Sequence, residues 1–218
     1  MAIINDETVG MLASHSMTSI VLAGGKGTRL GKDKLLQVVG DRPLLQRVID
    51  SLSPISQRIL VVTAQGQKRP AIQATQTIVA PVPDIYPEKG ALGGIYAGLS
   101  ASDSQHSLVV AADMPFLNSD LLQHLISVAI DFDVVMPRLN GGIEPLHAVY
   151  SRNCLPAIQE QIERSQLQIR VILKQVRVRY IEQEEIDRFD PRHLSFFNVN
   201  TPDDLREARN IAAGIGSS

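Results

Sequence analysis

Short apolar runs recur along the chain from residue 18 onward, and most of them are too short for a helix. Residues 19–23, 58–63 and 107–112 are nearly continuous runs of Val, Ile, Leu and Ala. Runs of this kind are typical of strands that are buried on both faces of a sheet. Further strands are predicted at residues 76–80, 132–136 and 145–150, and residues 175–181 alternate polar and apolar positions as a half-exposed strand does.

Segments with helical periodicity lie between these runs. Residues 43–52 carry one apolar stripe, formed by Leu44, Leu45, Val48, Ile49 and Leu52. Other helices are predicted at residues 92–100, 120–130, 155–165 and 203–213, with a short one at 71–74. Asn118 or Ser119 is expected to cap the helix at 120–130, and the Thr-Pro-Asp-Asp run at 201–204 resembles a capping box.

The alternation of strands and helices predicts an α/β fold. We expect a three-layer sandwich, with helices on both faces of a mainly parallel sheet that becomes mixed in its later strands. Residues 17–213 are predicted to form one domain, because no linker or repeat divides them. Residues 1–16 are expected to be a disordered extension, with Met17 as an alternative start, and residues 214–218 a loose tail.

Composition and charge narrow the classes of function. The 218 residues have a formal net charge of −2, so no basic field points to nucleic acid. Cys154 is the single cysteine, which excludes an internal disulfide and favours the cytoplasm. No apolar run approaches the roughly 20 residues that span a bilayer, so we expect no contact with membranes.

The clearest candidate for a functional site is the loop after the first predicted strand, LAGGKGTRLGKDK at residues 22–34. It combines four glycines with four cations, Lys26, Arg29, Lys32 and Lys34. Glycines let backbone N–H groups approach an anion closely, and cations offset phosphate charge, so the loop favours a nucleoside triphosphate. The P-loop and dinucleotide-binding spacings both fail, because residue 33 is Asp and residue 30 is Leu. A flexible surface loop with solvated charges is the alternative.

Asp113 follows the apolar run at 107–112 and precedes Met114 and Pro115. Ligands of open α/β sheets gather at the carboxyl ends of strands, and a carboxylate there suits Mg²⁺ together with phosphate oxygens. The alternative for this one residue is a turn before proline. Only the neighbouring glycine-rich loop makes the metal site the stronger interpretation.

Together with that loop, four more segments carry a resemblance to a known family. They are DIYPEKGALGGI at 84–95, ADMP at 112–115, EPL at 144–146 and FFNVNTPDDL at 196–205. In this order the chain resembles the molybdenum cofactor guanylyltransferases and, more loosely, the sugar-phosphate nucleotidyltransferases. It departs from the family pattern at Leu30, Glu88 and Ala91, and Thr63 stands where some members have an Asn.

The resemblance implies a Rossmann-like, GT-A-like nucleotide-diphospho-sugar transferase fold. It also implies transfer of GMP from GTP to the phosphate of molybdenum-molybdopterin, with Mg²⁺ as cofactor, forming molybdopterin guanine dinucleotide and pyrophosphate. The acceptor is already an anion, so no general base is needed, and catalysis rests on positioning and charge neutralisation.

The same resemblance implies roles for particular residues. Lys34, Arg29 and Asp113 are the expected catalytic residues, and Asp113 is the expected metal ligand. Asn198 and Asn200 are expected to face the acceptor, with Asn200 as an alternative metal ligand. The expected nucleotide contacts are Leu22, Ala23, Gly24, Gly25, Lys34, Asp84, Gly90, Gly94 and Asp113.

Several alternatives stay open on the sequence. One alternative is transfer of CMP rather than GMP, and another is a different phosphorylated acceptor. Two further alternatives are a non-catalytic nucleotide-binding subunit and a plain interaction domain. We expect a monomer that also meets molybdoenzyme apoproteins or their chaperones.

A few other residues are assigned to structure rather than chemistry. His147 is expected in the core or a pocket wall, and Cys154 as a structural thiol. Arg177 and Arg179, which lie on one strand face, are expected to be solvated unless they meet the acceptor phosphate. The glutamates at 182, 184 and 185 are expected to be a solvated charge run.

Overall fold

A computed structural model describes residues 17–24, 34–64, 72–73 and 76–215. The strands are β1 (Thr18–Leu22), β2 (Val38–Val39), β3 (Arg42–Pro43), β4 (Arg58–Thr63), β5 (Ile78–Pro83), β6 (His106–Ala111), β7 (Val134–Leu139), β8 (Gly142–Ile143), β9 (His147–Ser151) and β10 (Val178–Glu182). The helices are α1 (Leu44–Leu52), α2 (Gly90–Ala101), α3 (Ser119–Ser127), α4 (Leu155–Glu163), α5 (Ile169–Ile172), α6 (Gln183–Ile186) and α7 (Pro202–Ile215). Short 3₁₀ helices lie at Lys34–Leu36, Ser53–Ile55, Arg152–Cys154 and Leu194–Phe196.

The main sheet has the strand order β10-β7-β9-β6-β1-β4-β5, and β8 pairs with β7. Strands β10 and β7 pair in parallel, as do β6, β1, β4 and β5, whereas β9 and β8 pair antiparallel to their neighbours. The prediction of a mainly parallel, mixed sheet is therefore confirmed. Strand β9 interrupts the parallel order directly beside β6, which brings its first residues to the edge where β6 ends.

The predicted bounds of strand β5 were wrong. We predicted a strand at residues 76–80, but it begins at Ile78 and continues through Pro81 to Pro83. Proline lacks an N–H group and is tolerated in a strand at the edge of a sheet. Because β5 pairs only with β4, it is such an edge strand within the described residues.

Two hydrophobic layers cover the faces of the sheet. One layer packs α1 and α3 against β1, β4 and β6, with Leu45, Ile49 and Leu121 at its centre. The other packs α2 and α4 on the opposite face, with Leu92 and Ile158 among its buried residues. The three-layer sandwich is confirmed, and it leaves the carboxyl ends of β1, β4, β5 and β6 at one edge.

A small third core lies outside these layers. It consists of Val39, Leu44, Phe116, Val199, Leu205 and Ala208. These residues come from the β2–β3 hairpin, the start of α1, the segment after Asp113, the segment before α7 and α7 itself. Arg47 reinforces this core by donating to the carbonyl oxygens of Pro115 at 3.1 Å and Val39 at 3.2 Å. The third core thus joins three segments that are distant in sequence.

Two predictions about surface charge hold only in part, because several of these side chains form ion pairs. Glu182 pairs with Arg138, and Glu185 contacts both His124 at 2.6 Å and Arg179 at 3.4 Å. Arg177 pairs with Asp133 at 3.3 Å, although its own side chain is 66% exposed. The short helix α6 turns back beside β10 and brings Glu185 to its partners, which a strand-by-strand interpretation of the sequence does not anticipate.

The last helix runs from Pro202 to Ile215, so it ends two residues beyond the predicted 213. The prediction for 71–74 lies in part outside the described residues, and residues 1–16 lie wholly outside them. No helix in the described part of the chain has the length and apolar character needed to cross a membrane.

Candidate active site

Lys34, Asp113 and Asn200 meet at the edge where β6 ends. The Lys34 Nζ donates to Asp113 Oδ2 at 2.6 Å and to Asn200 Oδ1 at 2.8 Å. The Lys34 and Asp113 side chains are only 15% and 20% exposed, so the ion pair is largely shielded from water. Three residues that were selected from separate motifs therefore form one cluster.

Asp113 is placed by strand β6 and its neighbour β1. The strand ends at Ala111, and the next residue, Ala112, donates its N–H to the carbonyl oxygen of Leu22 at 3.1 Å. The carbonyl oxygen of Asp113 then accepts from Val199 N–H at 3.0 Å. The backbone of Asp113 is thus held between β1 and the segment that leads to Asn200.

Asn200 is placed by the start of α7. Asp204 Oδ2 accepts from the N–H groups of Asn200 at 2.8 Å and Thr201 at 2.7 Å, and Thr201 Oγ1 accepts from Asp204 N–H at 3.1 Å. This reciprocal arrangement confirms the predicted capping box at 201–204. Val199 is fully buried, so it anchors the backbone while Asn200 stays on the exposed side.

Lys34 begins a 3₁₀ helix that leads into the β2–β3 hairpin. Its neighbour Leu35 packs against the layer around Ile49, and Val39 in the hairpin is fully buried in the third core. The same core contains Val199, so the segments carrying Lys34 and Asn200 are tied together. The ammonium group is therefore brought to the two oxygens by contacts of the hairpin and the third core.

The donor set fits a divalent cation. Asp113 Oδ2 and Asn200 Oδ1 both lie within 3 Å of one positive group, and Asp113 Oδ1 is buried with no hydrogen-bond partner among the described residues. Carboxylate and amide oxygens are ligands that Mg²⁺ and similar ions accept. No cluster of three His, Cys, Asp or Glu that could bind a metal occurs in the described residues.

The turn after β1 forms the neighbouring part of the site. Ala23 N–H donates to Val62 O at 2.8 Å, and a Cβ on Gly24 would lie 3.3 Å from the backbone nitrogen of Ala64. Gly24 is exposed, so its backbone is open to a ligand although it passes close to β4. Leu22 is half-buried beside it.

Asp84 lies farther along the same edge, directly after β5. Its N–H donates to Thr63 O and its Oδ1 accepts from Tyr86 N–H, each at 2.9 Å. Desolvation raises the pKa of this carboxyl group, and the hydrogen bond from Tyr86 partly opposes the shift. Three strand spacings separate β5 from β6, about 14 Å. Asp84 and Asp113 therefore mark the two ends of this carboxyl edge of the sheet.

Two glycines lie in the segment between Asp84 and α2. Gly90 has a φ of +60° at the first residue of the helix, with open space around the position of a Cβ. Gly94 is buried, and a Cβ there would lie 3.2 Å from the side chain of Leu22. Gly94 thus lets α2 approach β1 closely, so its direct structural role is packing.

The remaining predicted residues are less directly placed. Gly25 and Arg29 lie outside the described residues. Asn198 is half-buried, and its Nδ2 donates to Phe196 O at 2.9 Å, which shapes the turn before Val199. Sequence reasoning missed Asp190, which is buried and accepts from Leu194 and Ser195 N–H groups in the same segment. An isolated Asp before a proline carries no pattern that would have revealed this role.

His147 lies at the start of β9 and is fully buried, as predicted. Its ring is 4.9 Å from that of Phe196, and neither ring nitrogen has a hydrogen-bond partner within the part of the chain that the structure describes. Desolvation lowers the pKa of His147 to about 4, although the carboxylate of Asp190 opposes this shift. The imidazole is therefore neutral in the folded protein at neutral pH.

We expect acid to destabilise the protein through His147. The unfolded chain takes up a proton on this residue near pH 6.5, whereas the folded protein does so only near pH 4. Stability from this group is complete above pH 6.5 and is lost as the pH falls towards 4, by up to about 3 kcal/mol. Melting temperatures of the wild type and His147→Phe between pH 4 and 7 test this. Equal slopes for the two proteins would contradict it.

Comparisons with known proteins agree with this geometry. Residues 19–180 match the family model of the MobA-like NTP transferase domain. A protein of Pelotomaculum thermopropionicum named "Probable molybdenum cofactor guanylyltransferase" is 33% identical over 195 residues, covering 89% of this chain and 93% of that protein. A molybdenum cofactor guanylyltransferase of Desulfosudis oleivorans is 31% identical, covering 88% and 94%.

A solved structure gives the same result. The crystal structure of molybdopterin-guanine dinucleotide biosynthesis protein A from Archaeoglobus fulgidus superposes with a TM-score of 0.76 at 29% identity. The match covers 91% of this chain and 100% of that one. The resemblance and the fold family inferred from the motifs are confirmed.

Proposed function

The chain belongs to the MobA-like NTP transferase family, and from this premise we propose that it transfers GMP from GTP to the terminal phosphate of molybdenum-molybdopterin. It is a nucleotidyltransferase whose relatives are named for guanylyl transfer in molybdenum cofactor biosynthesis. The observation that carries the proposal is the convergence of Lys34 on Asp113 and Asn200, within 2.8 Å, at the carboxyl end of β6.

In the proposed reaction an oxygen of the acceptor phosphate attacks the α-phosphorus of GTP. The new P–O bond forms as the bond to the leaving pyrophosphate breaks, so the product is molybdopterin guanine dinucleotide. The nucleophile is already an anion, and no residue has to remove a proton from it. The protein's contribution is positioning and neutralisation of charge.

Enzymes of this family generally use a divalent metal, which we propose is Mg²⁺. Asp113 and Asn200 would hold it, and when bound it supplies Lewis-acid charge to the phosphate oxygens. The Lys34 ammonium lies between these two ligands and has the reach of a long, flexible side chain. When Asp113 and Asn200 bind the metal, Lys34 would donate to phosphate oxygens and stabilise the charge on pyrophosphate.

The nucleotide would lie along the carboxyl edge of the sheet from Asp84 to Asp113. Its base and ribose would approach Gly90 and Asp84, and its phosphates would pass Gly24 and Gly25 and reach Lys34 and Arg29. The acceptor would enter from the opposite side of Asp113, where Asn198 and Asn200 lie. The protein would act as a monomer in the cytoplasm and pass its product to molybdoenzyme apoproteins or their chaperones.

The test is Mg²⁺-dependent turnover with molybdenum-loaded molybdopterin and each of GTP, CTP and ATP. We expect turnover with GTP but not with CTP or ATP, and pyrophosphate and the guanine dinucleotide should form in equal amounts. Pyrophosphate release with CTP and not with GTP would show that the protein transfers CMP instead of GMP. A GTP-dependent rise in melting temperature without turnover would instead indicate a non-catalytic subunit.

A further inference from the structure

A turn at residues 144–147 lies beside the end of β6, next to the site. Leu146 O accepts from Ala111 N–H at 3.1 Å, and Ala111 is two residues before Asp113. His147 N–H closes the turn by donating to Glu144 O at 3.2 Å. The turn is further held because Glu144 N–H donates to Pro137 O at 3.0 Å and Tyr150 Oη donates to Pro145 O at 2.9 Å. Its backbone is therefore fixed relative to Asp113.

The side chain of Glu144 is half-buried, and its carboxylate takes no part in the hydrogen bonds that hold the turn. Its carboxylate has no hydrogen bond or ion pair with any residue that the structure describes, unlike Glu182 and Glu185. Partial burial raises the pKa of this carboxyl group. A desolvated carboxylate without donors costs free energy, and a ligand that supplies donors recovers it.

The position of the turn distinguishes the two substrates. Strand β9 lies on one side of β6, whereas β1, β4 and β5, whose carboxyl ends form the proposed nucleotide site, lie on the other. Asp113 and Lys34 lie at the end of β6, between the two halves. A ligand that touches Glu144 and brings a phosphate to Asp113 therefore approaches from the acceptor side.

We propose that Glu144 binds the pterin ring of the acceptor by accepting hydrogen bonds from its N3–H and 2-amino groups. This assignment rests on the proposed function, which makes the acceptor a pterin phosphate. The 2-amino-4-oxo edge of a pterin presents two neighbouring N–H donors in one plane. A carboxylate accepts such a pair with both oxygens, as it does from the guanidinium of arginine.

The test separates the kinetics of the two substrates in Glu144→Gln. Glutamine keeps the shape, but its NH₂ group opposes one of the pterin donors. We expect the KM for molybdenum-molybdopterin to rise about 10- to 100-fold. The KM for GTP and the kcat at saturating acceptor should stay as in the wild type. Glu160→Gln, on the exposed surface of α4, is the matched control and should change none of these constants.

Guanine carries the same donor edge as a pterin, so ITP, which lacks the 2-amino group, is the discriminating substrate. If Glu144→Gln raises the KM for GTP and abolishes a preference for GTP over ITP, Glu144 contacts guanine and the proposal is overturned. A raised Mg²⁺ requirement with an unchanged acceptor KM would overturn it too.

Failure of the inference is distinguishable from failure of the function. A wild-type enzyme that transfers GMP, with an unchanged acceptor KM in a folded Glu144→Gln variant, refutes the inference alone. A wild-type enzyme that transfers nothing to molybdenum-molybdopterin refutes both. The melting temperature of Glu144→Gln, compared with that of the wild type, shows whether the variant is folded.

Discussion

Asp113→Ala is expected to lower kcat/KM for GMP transfer by about 10²- to 10³-fold or more, which corresponds to roughly 3 kcal/mol or more of transition-state stabilisation. The change removes the carboxylate that would bind the metal and leaves Lys34 without its partner at 2.6 Å. The measurement is the rate of dinucleotide formation at saturating Mg²⁺, with Asp113→Asn to separate loss of charge from loss of shape.

Asp103 provides a matched control for this change. It precedes β6 at the opposite edge of the sheet, its side chain is 89% exposed, and it pairs with Arg58 at 3.2 Å. Exposed pairs of this kind contribute little to stability, so Asp103→Ala should leave both activity and melting temperature close to those of the wild type. If Asp113→Ala retained wild-type activity while Mg²⁺ was still required, Asp113 would not be the metal ligand.

Lys34→Met should reduce kcat about 10²-fold or more, because the leaving pyrophosphate loses a donor in a site shielded from water. Methionine keeps much of the length and apolar volume of the lysine stem without its charge. The expected signature is a fall in kcat in single-turnover measurements with GTP and acceptor saturating. Lys34→Arg should recover only part of the activity, because a planar guanidinium does not reproduce the compact ammonium group.

Lys174 is the control for the loss of a positive charge. It is exposed, follows α5 and precedes β10, away from the carboxyl edge, so Lys174→Met should leave the kcat unchanged. The double variant Asp113→Ala, Lys34→Met adds a test of the contact itself. Groups that touch and act together give non-additive effects, so its loss should be smaller than the product of the two single losses. Full multiplicativity would contradict a shared function.

The physical arrangement explains why these effects are expected to be coupled. Lys34, Asp113 and Asn200 lie on three segments that the third core around Val39, Phe116 and Val199 joins. A well-packed core has few alternative arrangements, so it holds the three polar groups within hydrogen-bond distance. Their positions therefore depend on apolar contacts that lie outside the two main layers.

Much of this site was accessible from local patterns. The run at 107–112 ends where β6 does, within one residue, and the place of Asp113 at the end of a buried strand follows from it. The capping box at 201–204 predicted the start of α7 because the reciprocal hydrogen bonds involve only neighbouring residues. Signals of this kind are local in sequence, and sequence alone can carry them.

Other features depended on contacts between distant segments. The β2–β3 hairpin has two residues per strand, too few for an alternation to be recognised. The ion pairs of Glu185 and Arg177 depend on where α6 and β7 pack. The sequence identified Glu144 only as part of the EPL motif. That its carboxylate has no partner among the described residues depends on how distant segments pack around it.

The sequence by itself determined the α/β class, the order of the strands along the chain and the family, and it predicted the residues that would bind a nucleotide and a metal. Each of these follows from periodicity, from turn and cap chemistry, or from ordered motifs. Only the tertiary structure decided that Lys34 contacts both Asp113 and Asn200, that His147 is buried without a hydrogen-bond partner among the described residues, and that Glu144 lies in a turn beside the end of β6. These are properties of how distant segments pack, and strand order within the sheet, which brings them together, is not a local property of any segment.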